Sequence, residues 1–157
     1  MPEIEYLVCL TEQQKQTLLD IWNAEYPQQL GMPGMSAFNT YLNTLVSPQY
    51  LLIKTGEGEI IGWAALFTRD SMRCFLIMLK GKAQGKGYGA LLLNALKVKE
   101  NALFGWVVDH DRYLKADGAR YASPLHFYQK NGFTINNHLR LETDILSAVS
   151  VSWQACS

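Results

Sequence analysis

Residues 77–93 read Ile-Met-Leu-Lys-Gly-Lys-Ala-Gln-Gly-Lys-Gly-Tyr-Gly-Ala-Leu-Leu-Leu, and this stretch decides the fold. The apolar run 75–79 has the length of a buried strand, and apolar residues at helical spacing begin near residue 91. The loop between them is rich in glycine and lysine. Such a loop binds phosphates because the first turn of the following helix has N–H groups without partners and partial positive charge. Glycines also let the backbone approach an anion closely. We interpret the stretch as the site of a diphosphate-bearing cofactor.

Two other phosphate motifs compete for this loop. A P-loop needs Ser or Thr after Gly-Lys, whereas Ala83 and Gly87 follow the two Gly-Lys pairs here. The dinucleotide pattern G-x-G-x-x-G/A is met by Gly85, Gly87 and Ala90, and Asp109 lies about 20 residues on, where a ribose-binding acid is expected. About half of the chain precedes this pattern, and too little follows for a doubly wound sheet. A nucleotide-binding oxidoreductase is therefore the weaker alternative.

A third pattern fits the loop better than either of these. The spacing Gln84-x-x-Gly87-x-Gly89 follows an apolar strand that contains Ile77 and Leu79. This arrangement resembles the pyrophosphate loop of the GNAT family of acyl-CoA-dependent N-acyltransferases.

A second segment carries the same resemblance. Residues 127–133 read Phe-Tyr-Gln-Lys-Asn-Gly-Phe, which is similar to the late GNAT helix that ends in Tyr-x-Lys-x-Gly-Phe. The two segments occur in the family's order and at a plausible separation. The resemblance extends over residues 3–153, although only these two segments carry specific residues.

The resemblance implies transfer of an acetyl group from acetyl-CoA to a primary amine by direct attack. In the family, the strand before the loop binds the pantetheine arm through its backbone, a role that would fall here to Ile77, Met78 and Leu79. The pyrophosphate would bind the backbone amides of Gln84, Gly85, Lys86, Gly87, Tyr88 and Gly89. Tyr128 matches the tyrosine that contacts the cofactor and protonates the departing CoA sulfur. A phenol suits that task because it is protonated at neutral pH.

The sequence also departs from the family pattern. Tyr121 stands near the place of a common asparagine, and Gly81 replaces a proline after the cofactor-binding strand. The strand 75–79 contains no acid, so the general base comes from elsewhere, acts through water or is absent. Asp109 and His110 are the first candidates, since histidine titrates near neutral pH, although either could instead bind the amine or cap the loop. The missing acid leaves open a non-catalytic CoA-binding module on the same fold.

The acceptor is expected to be a small-molecule or peptide amine that the sequence does not identify. In the family, the connection between the first two helices lines the acceptor site, so Glu25, Tyr26 and residues 32–35 face substrate or form a surface loop. The polar stretch 109–121 is long for a connection in a compact domain, and such loops are often functional.

The composition favours a single domain over residues 1–157 in the cytoplasm. A chain of 157 residues can bury one substantial core. A formal net charge of zero argues against a general nucleic-acid binder, and no apolar run is long enough to cross a membrane. Three scattered cysteines fit a reducing cytosol, and the consecutive residues 109–111 are a poor metal site. No metal is therefore expected, and the oligomeric state stays open to a homodimer.

Hydrophobic periodicity predicts the order of the elements. Strands are expected at residues 3–10, 50–54, 60–68, 75–79, 103–108 and 148–153, with 133–136 and 139–142 forming one interrupted strand. Helices are expected after the N-cap Thr11 to about Glu25, from Ser36 to residue 45, from the loop to about residue 101, and from Pro124 to Gly132 with Ser123 as the cap. The sum is an α/β fold of the α+β type, with a mixed, mostly antiparallel central sheet and helices on both faces, as the GNAT resemblance also implies.

Overall fold

The computed structural model describes residues 2–156, so the two ends of the expected domain, Met1 and Ser157, lie outside the described residues. The strands are β1 Glu3–Leu7, β2 Val46–Lys54, β3 Ile60–Arg69, β4 Met72–Leu79, β5 Ala102–Val107, β6 Thr134–Glu142 and β7 Ser147–Gln154. The helices are α1 Glu12–Glu25, α2 Met35–Asn43, α3 Tyr88–Lys99 and α4 Leu125–Lys130. None of these helices has the length and apolar character needed to span a membrane.

These strands form one sheet in the order β1-β2-β3-β4-β5-β7-β6. All neighbouring pairs are antiparallel except β4 and β5, which run parallel. Two hydrophobic clusters cover the two faces: α3 and α4 contribute to one, and α1 and α2 contribute to the other. The predicted fold class, a mostly antiparallel mixed sheet with helices on both faces, is confirmed.

Local sequence signals set the start of α1 as expected. The backbone N–H of Gln14 donates to Thr11 Oγ1 at 3.1 Å, and the N–H of Thr11 donates to Gln14 Oε1 at 2.9 Å. This reciprocal capping box satisfies donors that the first helical turn would leave unpaired. The prediction that Ser36 caps the second helix was wrong, because Gly34 is the N-cap and Ser36 lies within the first turn of α2.

Two strand boundaries also differ from the prediction. β1 ends at Leu7 rather than at residue 10, because residues 8–9 bend away before α1. β2 begins at Val46 rather than at Tyr50, and its pairing with β3 shifts register between Val46 and Gln49. Ser47 in that irregular part has a positive φ of 50°, which a period-2 pattern does not reveal. The interrupted strand was predicted correctly, since β6 has its register shift between Asn136 and Arg140.

Candidate active site

The sheet opens between β4 and β5. Cys74 pairs with Phe104 near the start of each strand, and in the described residues this is the one register pair between them. On its other side β4 stays paired with β3 as far as Leu79, which lies opposite Gly62. The carboxyl end of β4, with Ile77 and Met78, therefore has a backbone edge toward β5 that the sheet does not use. The predicted pantetheine-binding residues lie on this edge.

Aromatic side chains fill the space beneath the opening. The rings of Phe75, Tyr128 and Phe133 lie with their centroids 5.4–5.7 Å apart. Phe75 also contacts β5, where a Cβ at Gly105 would be 3.0 Å from its ring. These three rings, Phe75, Tyr128 and Phe133, form an aromatic cluster against the sheet that we call the aromatic floor.

The start of α3 joins the separate motif segments. A Cβ at Gly89 would lie 3.2 Å from Phe127 Cζ and 3.6 Å from Leu79 Cδ1. Gly89 therefore lets the helix start fit tightly between the end of β4 and α4. The strand end, the glycine loop and the neighbourhood of Tyr128 meet at this point.

The glycine loop presents a row of backbone donors. Among the described residues, the N–H groups of residues 85–90 have no hydrogen-bond acceptor. Gly85 and Gly87 have φ values of 77° and 84°, and no heavy atom lies within 4 Å of a Cβ built on either residue. This left-handed backbone in front of the α3 N-terminus forms a concave set of donors that suits an anion. The N–H of Gln84 is occupied, since it donates to the Gly81 carbonyl at 3.2 Å.

The three loop lysines differ in their partners. Lys80 Nζ and Lys82 Nζ lie 3.3 Å and 2.7 Å from the Glu59 carboxylate. Their hydrogen bonds lower the pKa of Glu59. Lys86 has no carboxylate within ion-pair distance in the part of the chain that the structure describes. Lys86 is therefore the loop cation that is available for an incoming anion.

Tyr128 is buried and carries a proton at neutral pH. Its side chain is 6% exposed, and burial, followed by the electrostatic effect of Tyr121, raises the pKa of its phenol well above the ordinary value. Burial also raises the pKa of Tyr121 to about 12. Both hydroxyls are therefore proton donors rather than bases at neutral pH.

Asp109 and His110 follow β5, as the sequence indicated, but both are held by other groups. Arg140 donates two hydrogen bonds to the Asp109 carboxylate, at 2.9 Å and 3.0 Å, and these bonds hold the pKa of Asp109 below its usual value. His110 Nδ1 accepts a hydrogen bond from the Arg112 N–H at 3.1 Å, and its Nε2 is buried with no hydrogen-bond partner among the described residues. The His110 ring also packs edge-on against Tyr113. Within residues 2–156, no three His, Cys, Asp or Glu side chains form a group that could hold a metal ion.

The long polar connection forms a small hairpin over this end of the sheet. Leu114 pairs with Arg120, and the N–H of Tyr121 donates to the Tyr113 carbonyl at 2.9 Å. Two contacts attach the hairpin to its surroundings: Gln28 N–H donates to the Leu114 carbonyl at 2.7 Å, and the Ser147 N–H donates to the Tyr113 hydroxyl at 2.8 Å. The α1–α2 connection and the polar stretch 109–121 are thus in direct contact.

Sequence reasoning missed the role of one carboxylate at this junction. Glu25, expected to face substrate or solvent, instead contacts the first residue of the glycine loop, Gly81, and also Lys115 of the hairpin. No local pattern could have revealed these contacts, because the partners are 56 and 90 residues away.

Known acetyltransferases resemble this chain in sequence family and in fold. The family model described as acetyltransferase (GNAT) domain matches residues 47–135. No curated protein sequence matches the chain significantly. The crystal structure of a putative GNAT-family acetyltransferase from Desulfovibrio desulfuricans superposes with a TM-score of 0.71 at 12% identity, covering 98% of this chain and 99% of that one.

Two further crystal structures were solved with coenzyme A or its acetyl form. An aminoglycoside 6'-N-acetyltransferase complexed with coenzyme A has a TM-score of 0.69 at 13% identity, covering 97% of this chain and 96% of that one. A GNAT superfamily phosphinothricin acetyltransferase from Sinorhizobium meliloti in complex with AcCoA has a TM-score of 0.68 at 13% identity, covering 97% and 88%. At these identities the superpositions establish the shared fold.

Proposed function

The chain belongs to the GNAT acetyltransferase family, and from this premise we propose that it transfers the acetyl group of acetyl-CoA to a primary amine, with Tyr128 as the general acid. The observation that carries the proposal is the row of unpartnered N–H groups at residues 85–90, which lies beside the β4–β5 opening and the floor that contains Tyr128. Donors in this arrangement suit a diphosphate, and an open strand edge suits the amide groups of a pantetheine arm.

Different segments of the chain bind different parts of acetyl-CoA. Ile77, Met78 and Leu79 offer the backbone edge of β4 to the pantetheine arm. The N–H groups of residues 85–90 bind the diphosphate, and Lys86 adds a positive charge. Gln84 supports the loop instead of contacting the diphosphate, because its N–H and its side chain are both occupied. Acetyl-CoA supplies an activated thioester carbonyl and a thiolate leaving group.

Tyr128 delivers the proton that the leaving thiolate needs. Its raised pKa keeps the phenol protonated until the thiolate departs, and the phenolate that forms on donation recovers a proton released by the attacking amine, through water. The floor of Phe75 and Phe133 holds the ring in place. This fixed position favours transfer of a proton to one defined atom.

The two candidate bases, Asp109 and His110, are both held by other groups. β4 contains no acid, and the lowered pKa of Asp109 makes its carboxylate a weak base. His110 has its Nδ1 lone pair occupied by the Arg112 N–H. Asp109 and His110 remain candidate bases. Their contacts favour a different role for both residues, which is to hold the 109–123 loop. Water can remove the proton from the amine in their place.

Tyr128→Phe tests the proposal in the purified full-length protein. We expect the dissociation constant of acetyl-CoA, measured by calorimetry, to stay within about twofold, while amine-dependent thiol release falls about 100-fold or more, since general acids contribute about 10²–10⁴-fold. The amine panel begins with aminoglycosides, spermidine and spermine, and phosphinothricin, the compound classes named for the similar structures. Tyr6→Phe is the matched control, because Tyr6 is half exposed on β1.

The alternatives are separate outcomes of the same experiment. Unchanged thiol release by Tyr128→Phe would remove Tyr128 from the mechanism. Binding of acetyl-CoA without thiol release for any amine would favour the non-catalytic CoA-binding module. Binding of NAD or NADP without binding of acetyl-CoA would favour the nucleotide-binding oxidoreductase and assign Asp109 to the ribose.

A further inference from the structure

Glu25 connects three segments that are distant in sequence. It is the last residue of α1, and its side chain is 13% exposed. Glu25 Oε2 accepts a hydrogen bond from the Gly81 N–H at 2.9 Å. Its Oε1 accepts from Lys115 Nζ at 2.9 Å and from Gln84 Nε2 at 3.3 Å. One carboxylate thus receives donors from both ends of the turn that opens the cofactor loop and from the hairpin above it.

These contacts fix the loop just before its anion-binding part. Residues Gly81–Ala83 form a 3-10 turn, and the first N–H of such a turn has no acceptor within the turn itself. Glu25 supplies that acceptor from another helix. Gln84 is held twice, because its Nε2 also donates to the Leu79 carbonyl at 3.1 Å. The chain is therefore fixed on both sides of the turn, and the free N–H groups of residues 85–90 begin at the next residue.

We propose that Glu25 is a positioning residue that holds the cofactor loop in its diphosphate-binding conformation, and that Lys115 neutralises it for that purpose. A carboxylate beside an anion-binding loop would repel a diphosphate within the screening distance of about 8 Å at physiological salt. The Lys115 ammonium forms an ion pair with Glu25, and both side chains are largely shielded from water. The loop gains a strong hydrogen-bond acceptor without a net negative charge.

Two hydrogen bonds hold the hairpin in addition to the ion pair of Lys115. The Leu114 carbonyl is bonded to the Gln28 N–H, and the Tyr113 hydroxyl to the Ser147 N–H. Removing the lysine charge therefore changes the electrostatics at Glu25 while leaving these bonds in place. A Lys115 variant therefore measures the effect of the lysine charge on acetyl-CoA binding while the hairpin keeps these hydrogen bonds.

The test compares two acetyl donors in the full-length protein, and it rests on the proposed function. For Glu25→Ala we expect the dissociation constant of acetyl-CoA to rise about tenfold, because the charged acceptor of two loop donors is lost. Turnover with S-acetylpantetheine should stay within about twofold, since this donor has the thioester but no diphosphate. Glu25→Gln should recover part of the affinity, because its amide oxygen can still accept from the Gly81 N–H.

Lys115→Met tests the charge. The single variant leaves the Glu25 carboxylate unpaired, so it should bind acetyl-CoA more weakly than the double variant Glu25→Gln with Lys115→Met, most clearly at low salt. Lys15→Met is the matched control on α1. Its side chain is 22% exposed, against 20% for Lys115, and it also forms an ion pair, with Glu12. The control should leave acetyl-CoA affinity unchanged.

The outcomes separate this inference from the proposed function. If the wild type binds acetyl-CoA and Glu25→Ala binds it equally well, the inference is wrong while the function stands. An equal loss with acetyl-CoA and S-acetylpantetheine would assign Glu25 a general structural role and also overturn the inference. A wild type that binds neither CoA nor acetyl-CoA would overturn the proposed function and this inference together.

Discussion

Gly62 leaves space that the end of β4 occupies, and an alanine there should bend the cofactor-binding strand. A Cβ at this position would lie 2.4 Å from Leu79 Cδ2, 2.9 Å from the Met78 carbonyl oxygen and 3.1 Å from Ile53 Cγ2. The leucine side chain can rotate, but the Met78 carbonyl belongs to the paired backbone and moves only with the strand. Overpacking of this kind costs about 1–3 kcal/mol. At about 2 kcal/mol, the melting temperature of a chain of 157 residues should fall by about 4–8 °C.

Thermal unfolding of Gly62→Ala, followed by circular dichroism with and without acetyl-CoA, measures this effect. Gly56→Ala is the control, because Gly56 lies in the turn between β2 and β3 and a Cβ there meets no atom within 4 Å. The control should melt within about 1 °C of the wild type, since exposed substitutions rarely matter. Gly62→Ala should also bind acetyl-CoA more weakly, because Met78 and Leu79 are displaced. A Gly62→Ala protein that melts with the wild type would refute the steric argument.

Two further predictions concern the rim of the site. Asp109→Asn should lower the free energy of unfolding in urea at pH 7. Arg140 lowers the pKa of Asp109 in the folded state, so the ion pair contributes its full stability above the unfolded pKa of about 3.9 and loses it as pH falls through the folded pKa. The difference in unfolding free energy between Asp109→Asn and the wild type should therefore shrink toward pH 3. A difference that stays constant with pH would contradict this prediction. Gly87→Val should lower the melting temperature more than Gly87→Asn, because the φ of 84° lies in the left-handed region, which is most costly for a β-branched residue. Equal melting temperatures for the two variants would contradict the backbone argument.

The parts of the fold that were predictable from sequence are those that local patterns determine. The capping box of Thr11 and Gln14 involves residues three positions apart. The start of α4 was predicted less well: Ser123 Oγ accepts from the Leu125 N–H at 3.2 Å, but the predicted cap was wrong, because Pro124 is the N-cap and α4 begins at Leu125. Periodicity located the buried parts of β2, β3 and β7 because each contains a continuous buried run. Errors arose at Ser47, where a positive φ and a register shift leave no periodic signal.

The parts of the site that the sequence did not reveal depend on contacts between distant residues. Asp109 and His110 have side chains that can act as a general base. The sequence shows these residue types, but it does not show which groups contact them. The partner that fixes the behaviour of Asp109, Arg140, lies 31 residues away on β6. Whether a carboxylate is free or paired is a property of the tertiary structure, and it decides the direction of the pKa shift.

The cofactor loop shows how the two kinds of information combine. Its proposed diphosphate donors are backbone groups, so glycine spacing predicted residues 84–89, and five of these six lie among the N–H groups of residues 85–90 that have no acceptor in the described residues. The conformation of those donors depends on a carboxylate on α1, and the motif contains no trace of it. Glu25 also ends the helix that leads into Tyr26 and the α1–α2 connection, where the acceptor is expected to bind. Because its two carboxylate oxygens accept from Gly81 and Gln84, both ends of the turn that precedes residues 85–90 are attached to α1 at this one residue.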